Sequence, residues 1–136
     1  VVDVYTASIG ASALNVDRLQ VAMRNAGPTA AALGQSLEGT TATLGLLTTA
    51  FGNGERAGTG LRAILNELPD QADDLGISVR HSAGEFRPLV DIIADLEASG
   101  VTASRAVAMF GAEAGPALAA LLSNGSSALR DMESRL

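Results

Sequence analysis

Near the middle of the chain, a glycine-rich run has the residue types that bind phosphate groups: Gly52-Asn53-Gly54-Glu55-Arg56-Ala57-Gly58-Thr59-Gly60-Leu61-Arg62. A P-loop needs a lysine that reaches the phosphates, and all 9 basic residues of this chain are arginines. The looser dinucleotide-binding pattern requires a strand before its glycines, whereas residues 37–51 have the pattern of a helix. The run therefore predicts a junction between two helices, and no cofactor is expected.

Catalysis would have to use His81, the one histidine of the chain. A hydrolase would also need a serine on a strained elbow, and Gly10-Ala11-Ser12-Ala13-Leu14 lacks the final glycine of that pattern. We therefore interpret His81 as a turn residue and predict that the chain is not an enzyme.

The carboxylates that could bind a metal ion are Asp70, Asp73 and Asp74. They follow Pro69 and are predicted to lie in the first turn of a helix, where the helix dipole stabilises negative charge. A calcium or magnesium site would need more oxygen ligands around a glycine-bearing loop. No metal site is expected.

A second pair of carboxylates, Asp91 and Asp95, lies one helical turn apart. Arg87 precedes Asp91 by one more turn, and side chains at this spacing pair on a helix surface. The pattern predicts a solvated face with an Arg87–Asp91 ion pair, and it does not favour an acid–base pair.

Composition indicates an all-α fold. Hydrophobic residues make up 47% of the 136 residues, but only Tyr5, Phe51, Phe86 and Phe110 are aromatic. Alanine and leucine dominate, and small side chains let helices approach closely. We predict a single domain over residues 1–136, a compact bundle of short helices separated by glycine, with one small β-hairpin near residues 77–87.

The net charge, the cysteine content and the first residue of the chain limit the functional classes to which it could belong. The net charge of −6 is the opposite of the basic face that releases counterions from DNA, so sequence-specific nucleic-acid binding is not expected. The absence of cysteine removes disulfides and thiolate metal sites. Val1 is not an initiator methionine, and we expect the chain to be an excised piece of a longer protein.

Capping and breaking residues predict where the helices begin and end. Asn15, Ser36 and Thr102 are predicted caps, and Pro88 is predicted to occupy the first helical position. Predicted helix ends lie at Gly27-Pro28, Gly34, Gly52, Pro69, Gly111 and Asn124-Gly125. The helix over residues 37–51 is apolar on more than one side and is expected to be central. The glycines of residues 57–60 suggest close approach by a neighbouring helix, although an irregular first turn would also explain them.

Together with three other segments, the glycine-rich run resembles the core domain of tail tape measure proteins. These are minor tail proteins of long-tailed bacteriophages, prophages and related particles. The other segments are Leu75-Gly76-Ile77-Ser78-Val79, residues 84–89 with Arg87-Pro88-Leu89, and Phe110-Gly111-Ala112-Glu113-Ala114. The resemblance covers nearly the whole chain. The motif residues that we single out are Gly54, Ala57, Gly58, Thr59, Leu61, Arg62, Gly76, Phe110 and Gly111.

The resemblance implies a structural virion protein that sets tail length, templates assembly of the tail tube and takes part in genome ejection. It also implies self-association, contacts with tube, tip and tail assembly chaperone proteins, and membrane contact only during ejection. The expected location is the virion tail, with the host bacterial cytoplasm during assembly. Two alternatives stay open: a host helical adaptor that binds another protein, and a membrane-active ejection domain.

Phe110 is the motif residue with the largest side chain. Ordinary core packing would explain it. The sharper hypothesis is that Phe110-Gly111 touches Ala57-Gly58 and locks the two halves of the domain together.

Overall fold

In a computed structural model, residues 13–80 and 85–135 are described, and these ranges contain five helices and no strand. The helices are α1 (Ala13–Ala32), α2 (Leu37–Phe51), α3 (Gly54–Leu75), α4 (Leu89–Ala98) and α5 (Ala103–Ser134). The predicted all-α class is confirmed. Apolar side chains from all five helices form one hydrophobic core.

Helix α2 runs through the middle of the bundle. Its cap is the predicted one, because the Ser36 side chain accepts a hydrogen bond from the Gly39 amide at 3.0 Å. Every residue from 40 to 48 is buried, so the helix is covered on all sides, as its apolar pattern predicted. A helix that is packed closely against other helices on all sides needs small side chains. Helix α2 has threonine, glycine and alanine between its leucines.

Two prolines do not end their helices, and this part of the prediction is wrong. Helix α1 continues past Pro28, and α3 continues past Pro69. A proline inside a helix costs about 3 kcal/mol through a lost hydrogen bond and a clash with the preceding turn. In α3 the buried face formed by Leu68 continues to Ala72 and Leu75, and this burial offsets the cost.

The longer α3 changes the place of the acidic residues. Asp73 and Asp74 lie in the last turn before Leu75, and Asp70 lies one turn earlier. The prediction of a helix start is therefore wrong. At a helix C-terminus the dipole disfavours negative charge, and these exposed carboxylates reduce the stability of α3 slightly.

The expected hairpin is present only as a single antiparallel bridge between Arg80 and Phe86. Beside it, the Arg87 amide donates a hydrogen bond to the Val79 carbonyl at 2.8 Å. The two sides therefore pair at one point and form no strands among the described residues. His81, at the predicted turn, lies outside those residues.

Helix α5 bends sharply at two glycines, as the sequence predicted. Gly111 (φ 83°, ψ −169°) and Gly125 (φ 87°, ψ 159°) are non-helical, and positive φ at such angles is accessible mainly to glycine. By length and composition α5 is the one described helix that could cross a membrane. However, the helical segment between the bends, residues 112–124, is only about 20 Å long, whereas a bilayer core is about 30 Å thick.

The hydroxyls of Thr41 and Thr48 are buried in the core and have no hydrogen-bond partner among the described residues. An unsatisfied buried polar group costs about 1–3 kcal/mol. Thr41→Val and Thr48→Val, which keep the branched shape, are each expected to raise the free energy of unfolding by about 1 kcal/mol, measured by urea denaturation.

The matched control is Thr43→Val in the same helix. The Thr43 hydroxyl donates to the Gly39 carbonyl at 2.9 Å, so its removal is expected to be neutral or to destabilise the protein. If Thr41→Val and Thr43→Val changed stability by the same amount, the unpaired hydroxyl would not be the cause.

Candidate functional site: the packing surfaces of α3

Helices α1 and α3 approach each other closely at two glycines of α3. A Cβ atom at Gly58 would lie 2.6 Å from the Asn25 Cβ atom and 2.9 Å from the Ala22 carbonyl oxygen. A Cβ atom at Gly54 would overlap the Arg18 carbonyl group. The predicted close approach is therefore confirmed. Residue numbers rise in the same direction along both helices from the Gly54 contact to the Gly58 contact, so α1 and α3 run parallel here.

Asn25 adds a polar link to this interface. Its side-chain amide donates to the Glu55 carbonyl oxygen at 2.9 Å and to the Thr59 hydroxyl at 2.8 Å. The link joins α1 to the first turns of α3, next to Gly58. Thr59 is one of the predicted motif residues, whereas Asn25 was not predicted, because an asparagine on a helix gives no signal of its partner.

The opposite face of α3 packs against α5. A Cβ atom at Gly60 would lie 2.7 Å from the Ala117 Cβ atom, so Gly60 lets the two helices meet. Ala57 and Leu61 are almost fully buried on the same helix. Helix α3 therefore lies between α1 and α5, and the glycines of its first turns determine how closely it packs against each.

The hypothesised contact between Phe110-Gly111 and Ala57-Gly58 stays a prediction. Gly58 packs against α1, and a Cβ atom at Gly111 would meet nothing within 4 Å. Gly111 instead turns the chain, and the turn brings Gly115 against Val107, where a Cβ atom would lie 2.9 Å from the Val107 Cα atom. Phe110 is buried beside this turn, with 5% of its surface exposed.

The two most specific motif segments meet at a surface cleft of about 510 Å³ between α3 and α5. Thr59 and Arg62 come from the first segment, and Phe110, Glu113 and Ala114 come from the second. The remaining lining residues are Ala63, Asn66, Glu67 and Ala112.

The charged side chains of this cleft are exposed or partly exposed and available to a partner. In the described ranges, none of Arg62, Glu67 and Glu113 forms a salt bridge. The cleft therefore has a floor that includes buried Phe110 and Ala114 and a rim of unpaired charges, an arrangement suited to protein contacts.

Gly76 ends α3 in the left-handed conformation (φ 70°), with its amide directed at the last carbonyls of the helix. The chain that follows is held by Gln35, a residue that the sequence did not single out. The Gln35 side chain donates to the Arg87 carbonyl oxygen and accepts from the Leu89 amide, both at 2.9 Å. One amide group thus fixes the start of α4.

The predicted Arg87–Asp91 ion pair is wrong. Arg87 pairs with Asp95 and also donates to the Ser78 carbonyl oxygen at 2.7 Å, and Asp91 pairs with Arg130 at 3.0 Å. Pro88 has extended ψ (136°) before the first residue of α4, so Arg87 does not precede Asp91 by one helical turn. Each carboxylate neutralises a separate arginine.

Among residues 13–80 and 85–135, no group of three or more histidine, cysteine or acidic residues could hold a metal ion. The distinctive residues instead create close helix contacts and one charged cleft. Fold and site together define an all-α helical bundle whose distinctive glycines allow close contacts between its helices.

Comparison with known proteins identifies the family of this domain. Residues 1–112 match the family described as phage-related minor tail protein, and the chain belongs to that family. It is also similar to the "Probable tape measure protein" of Escherichia phage P2, with 33% identity over 144 residues. The resemblance found in the sequence is thereby confirmed.

The match covers 95% of this chain and 18% of the length of the phage P2 protein. The chain thus corresponds to a limited part of that relative. No solved structure matches the chain.

Proposed function

We propose that residues 1–136 form one domain of a tape measure protein, which sets tail length, templates assembly of the tail tube and takes part in genome ejection. The observation that carries this proposal is the 33% identity to a protein named as a probable tape measure protein. Assembly would begin in the host bacterial cytoplasm and place the protein in the virion tail.

The domain itself does not act as the ruler in this proposal. A ruler must extend, and a straight helix rises about 1.5 Å per residue. Here the five helices of the described ranges fold back on one another around a common core. Length would therefore be encoded by other parts of the same protein, and this domain would contribute contacts.

Those contacts are proposed to include self-association and binding of tube, tip and tail assembly chaperone proteins. The cleft between α3 and α5 supports this role, since its rim carries the charges of Arg62, Glu67 and Glu113 without salt bridges among the described residues. The acidic balance of the chain, −6 overall, would also limit its retention of DNA that passes through the tail.

The test begins with the full reading frame that contains this domain. In-frame deletion of helical segments outside residues 1–136 is expected to shorten the tails seen by electron microscopy by about 1.5 Å per deleted residue. As a control, replacement of the same segment by an unrelated helical sequence of equal length should preserve tail length.

Tails of unchanged length after deletion would contradict the ruler function. A reading frame hardly longer than this chain would also contradict it and would favour the adaptor alternative. Membrane contact during ejection is tested separately with anionic liposomes at low and neutral pH, because α5 has the length and composition of a membrane helix only if its two bends straighten.

A further inference from the structure

The chain contains two Asn-Gly pairs, Asn53-Gly54 and Asn124-Gly125. In such a pair the amide nitrogen of glycine, unhindered by a side chain, can attack the Cγ atom of asparagine. The nitrogen gives up its proton to solvent base, a new C–N bond forms, and the side-chain amide leaves as ammonia. Water then opens the cyclic imide to aspartate or isoaspartate.

The fold restrains the first pair from both sides. The Asn53 side-chain oxygen accepts a hydrogen bond from the Arg56 amide at 2.9 Å and caps α3. Gly54 is buried, with its Cα atom against the Arg18 carbonyl group. Movement of this peptide bond therefore requires α1 and α3 to separate, which disrupts the core.

The second pair lies at the last bend of α5, where the structure restrains the chain less. Asn124 is exposed, and within the described ranges its side chain makes one hydrogen bond, to the Ala120 carbonyl oxygen at 2.8 Å. Gly125 is non-helical, so the 124–125 peptide bond lies at the boundary between two helical segments.

The segment after this bend, residues 126–134, is held weakly. Leu129 is its one buried side chain. The Arg130–Asp91 pair is partly exposed and contributes little. The Glu97 carboxylate accepts from the Ser126 amide at 2.9 Å, and the Glu133 side chain lies beside Gly39 of α2. Segments with few buried contacts open locally without global unfolding.

We infer that Asn124 is a site of spontaneous deamidation in the folded protein, and that Asn53 is protected. The inference does not depend on the proposed tail function. Aspartate at position 124 loses the amide donor to Ala120. Isoaspartate also lengthens the backbone beside the bend at Gly125, so the contact of Leu129 with the core cannot be kept. Deamidation is expected to release residues 126–134.

The experiment incubates the purified protein at mildly alkaline pH and follows both pairs by peptide mass spectrometry with isoaspartate detection. Asn124 is expected to convert at least about tenfold faster than Asn53, which corresponds to a difference of roughly 1.4 kcal/mol in opening free energy. In urea the two pairs should convert at similar rates.

Equal rates in the folded protein, or faster conversion of Asn53, would overturn the inference, as would an intact Asn124 under conditions in which the urea-unfolded chain converts. The consequence is tested with Asn124→Asp, which should increase hydrogen exchange in residues 126–134 and leave α3 unchanged. Asn124→Gln keeps an amide but cyclises slowly, and it should show neither conversion nor faster exchange.

Discussion

Replacing Gly54 with alanine is expected to lower the free energy of unfolding by about 3 kcal/mol, the upper end of the usual cost of overpacking. The added methyl group would overlap the Arg18 carbonyl group of α1. This obstacle is backbone, which cannot rotate away as a flexible side chain does. Because Gly54 is also the first residue of α3, α1 would have to move along its contact with that helix. Urea denaturation followed by circular dichroism measures the change.

Gly27→Ala is the matched control for this prediction. Gly27 lies inside α1, and a Cβ atom there would meet nothing within 4 Å. Alanine is favoured over glycine in a helix by about 0.5–1 kcal/mol, so this variant is expected to be neutral or more stable. A Gly54→Ala protein as stable as Gly27→Ala would contradict the assignment of Gly54 to a close backbone contact.

The sequence predicted only part of the local breaks and caps of this fold, because Asn15, a predicted cap, lies inside α1, and Pro88, predicted at the first helical position, precedes α4. Ser36 and Thr102 cap α2 and α5, and Gly111 and Gly125 bend α5, because each effect depends on a side chain or a φ angle within a few residues. The prolines show the limit of such signals. Pro69 predicts a helix end locally, but the apolar face that continues through Ala72 and Leu75 is buried by distant parts of the chain.

The sequence predicted that helices pack closely at the candidate site, but it did not predict which helices make the contacts. The glycines of residues 57–60 indicated close helix approach, and the structure contains it at Gly58 and Gly60. Their partners in α1 and α5 were not predictable, since spacing along α3 does not say which helix covers each face. Gln35 and Asn25 were not predicted for the same reason, because their hydrogen bonds join residues far apart in sequence.

Phe110→Ala is expected to lower the free energy of unfolding by about 3–5 kcal/mol, the usual cost of removing a buried aromatic side chain. Phe110 is 5% exposed and lies where α5 bends at Gly111. Few large side chains are available to fill the space, because the surroundings include Thr59, Ala63 and Ala114. With a total stability of about 5–15 kcal/mol for ordinary domains, the loss would remove a large share of it.

Val107→Ala provides the control on the same helical segment, three residues earlier. Val107 is 46% exposed, and surface substitutions usually change stability by less than about 0.5 kcal/mol. Hydrogen exchange shows whether Phe110→Ala loosens the bend together with its contact to α3 or leaves both in place. If Phe110 anchors the bend, amides of residues 103–110 and of the facing part of α3 will exchange faster together. A near-neutral Phe110→Ala variant, no less stable than Val107→Ala, would show that the bend holds α3 and α5 together without this side chain.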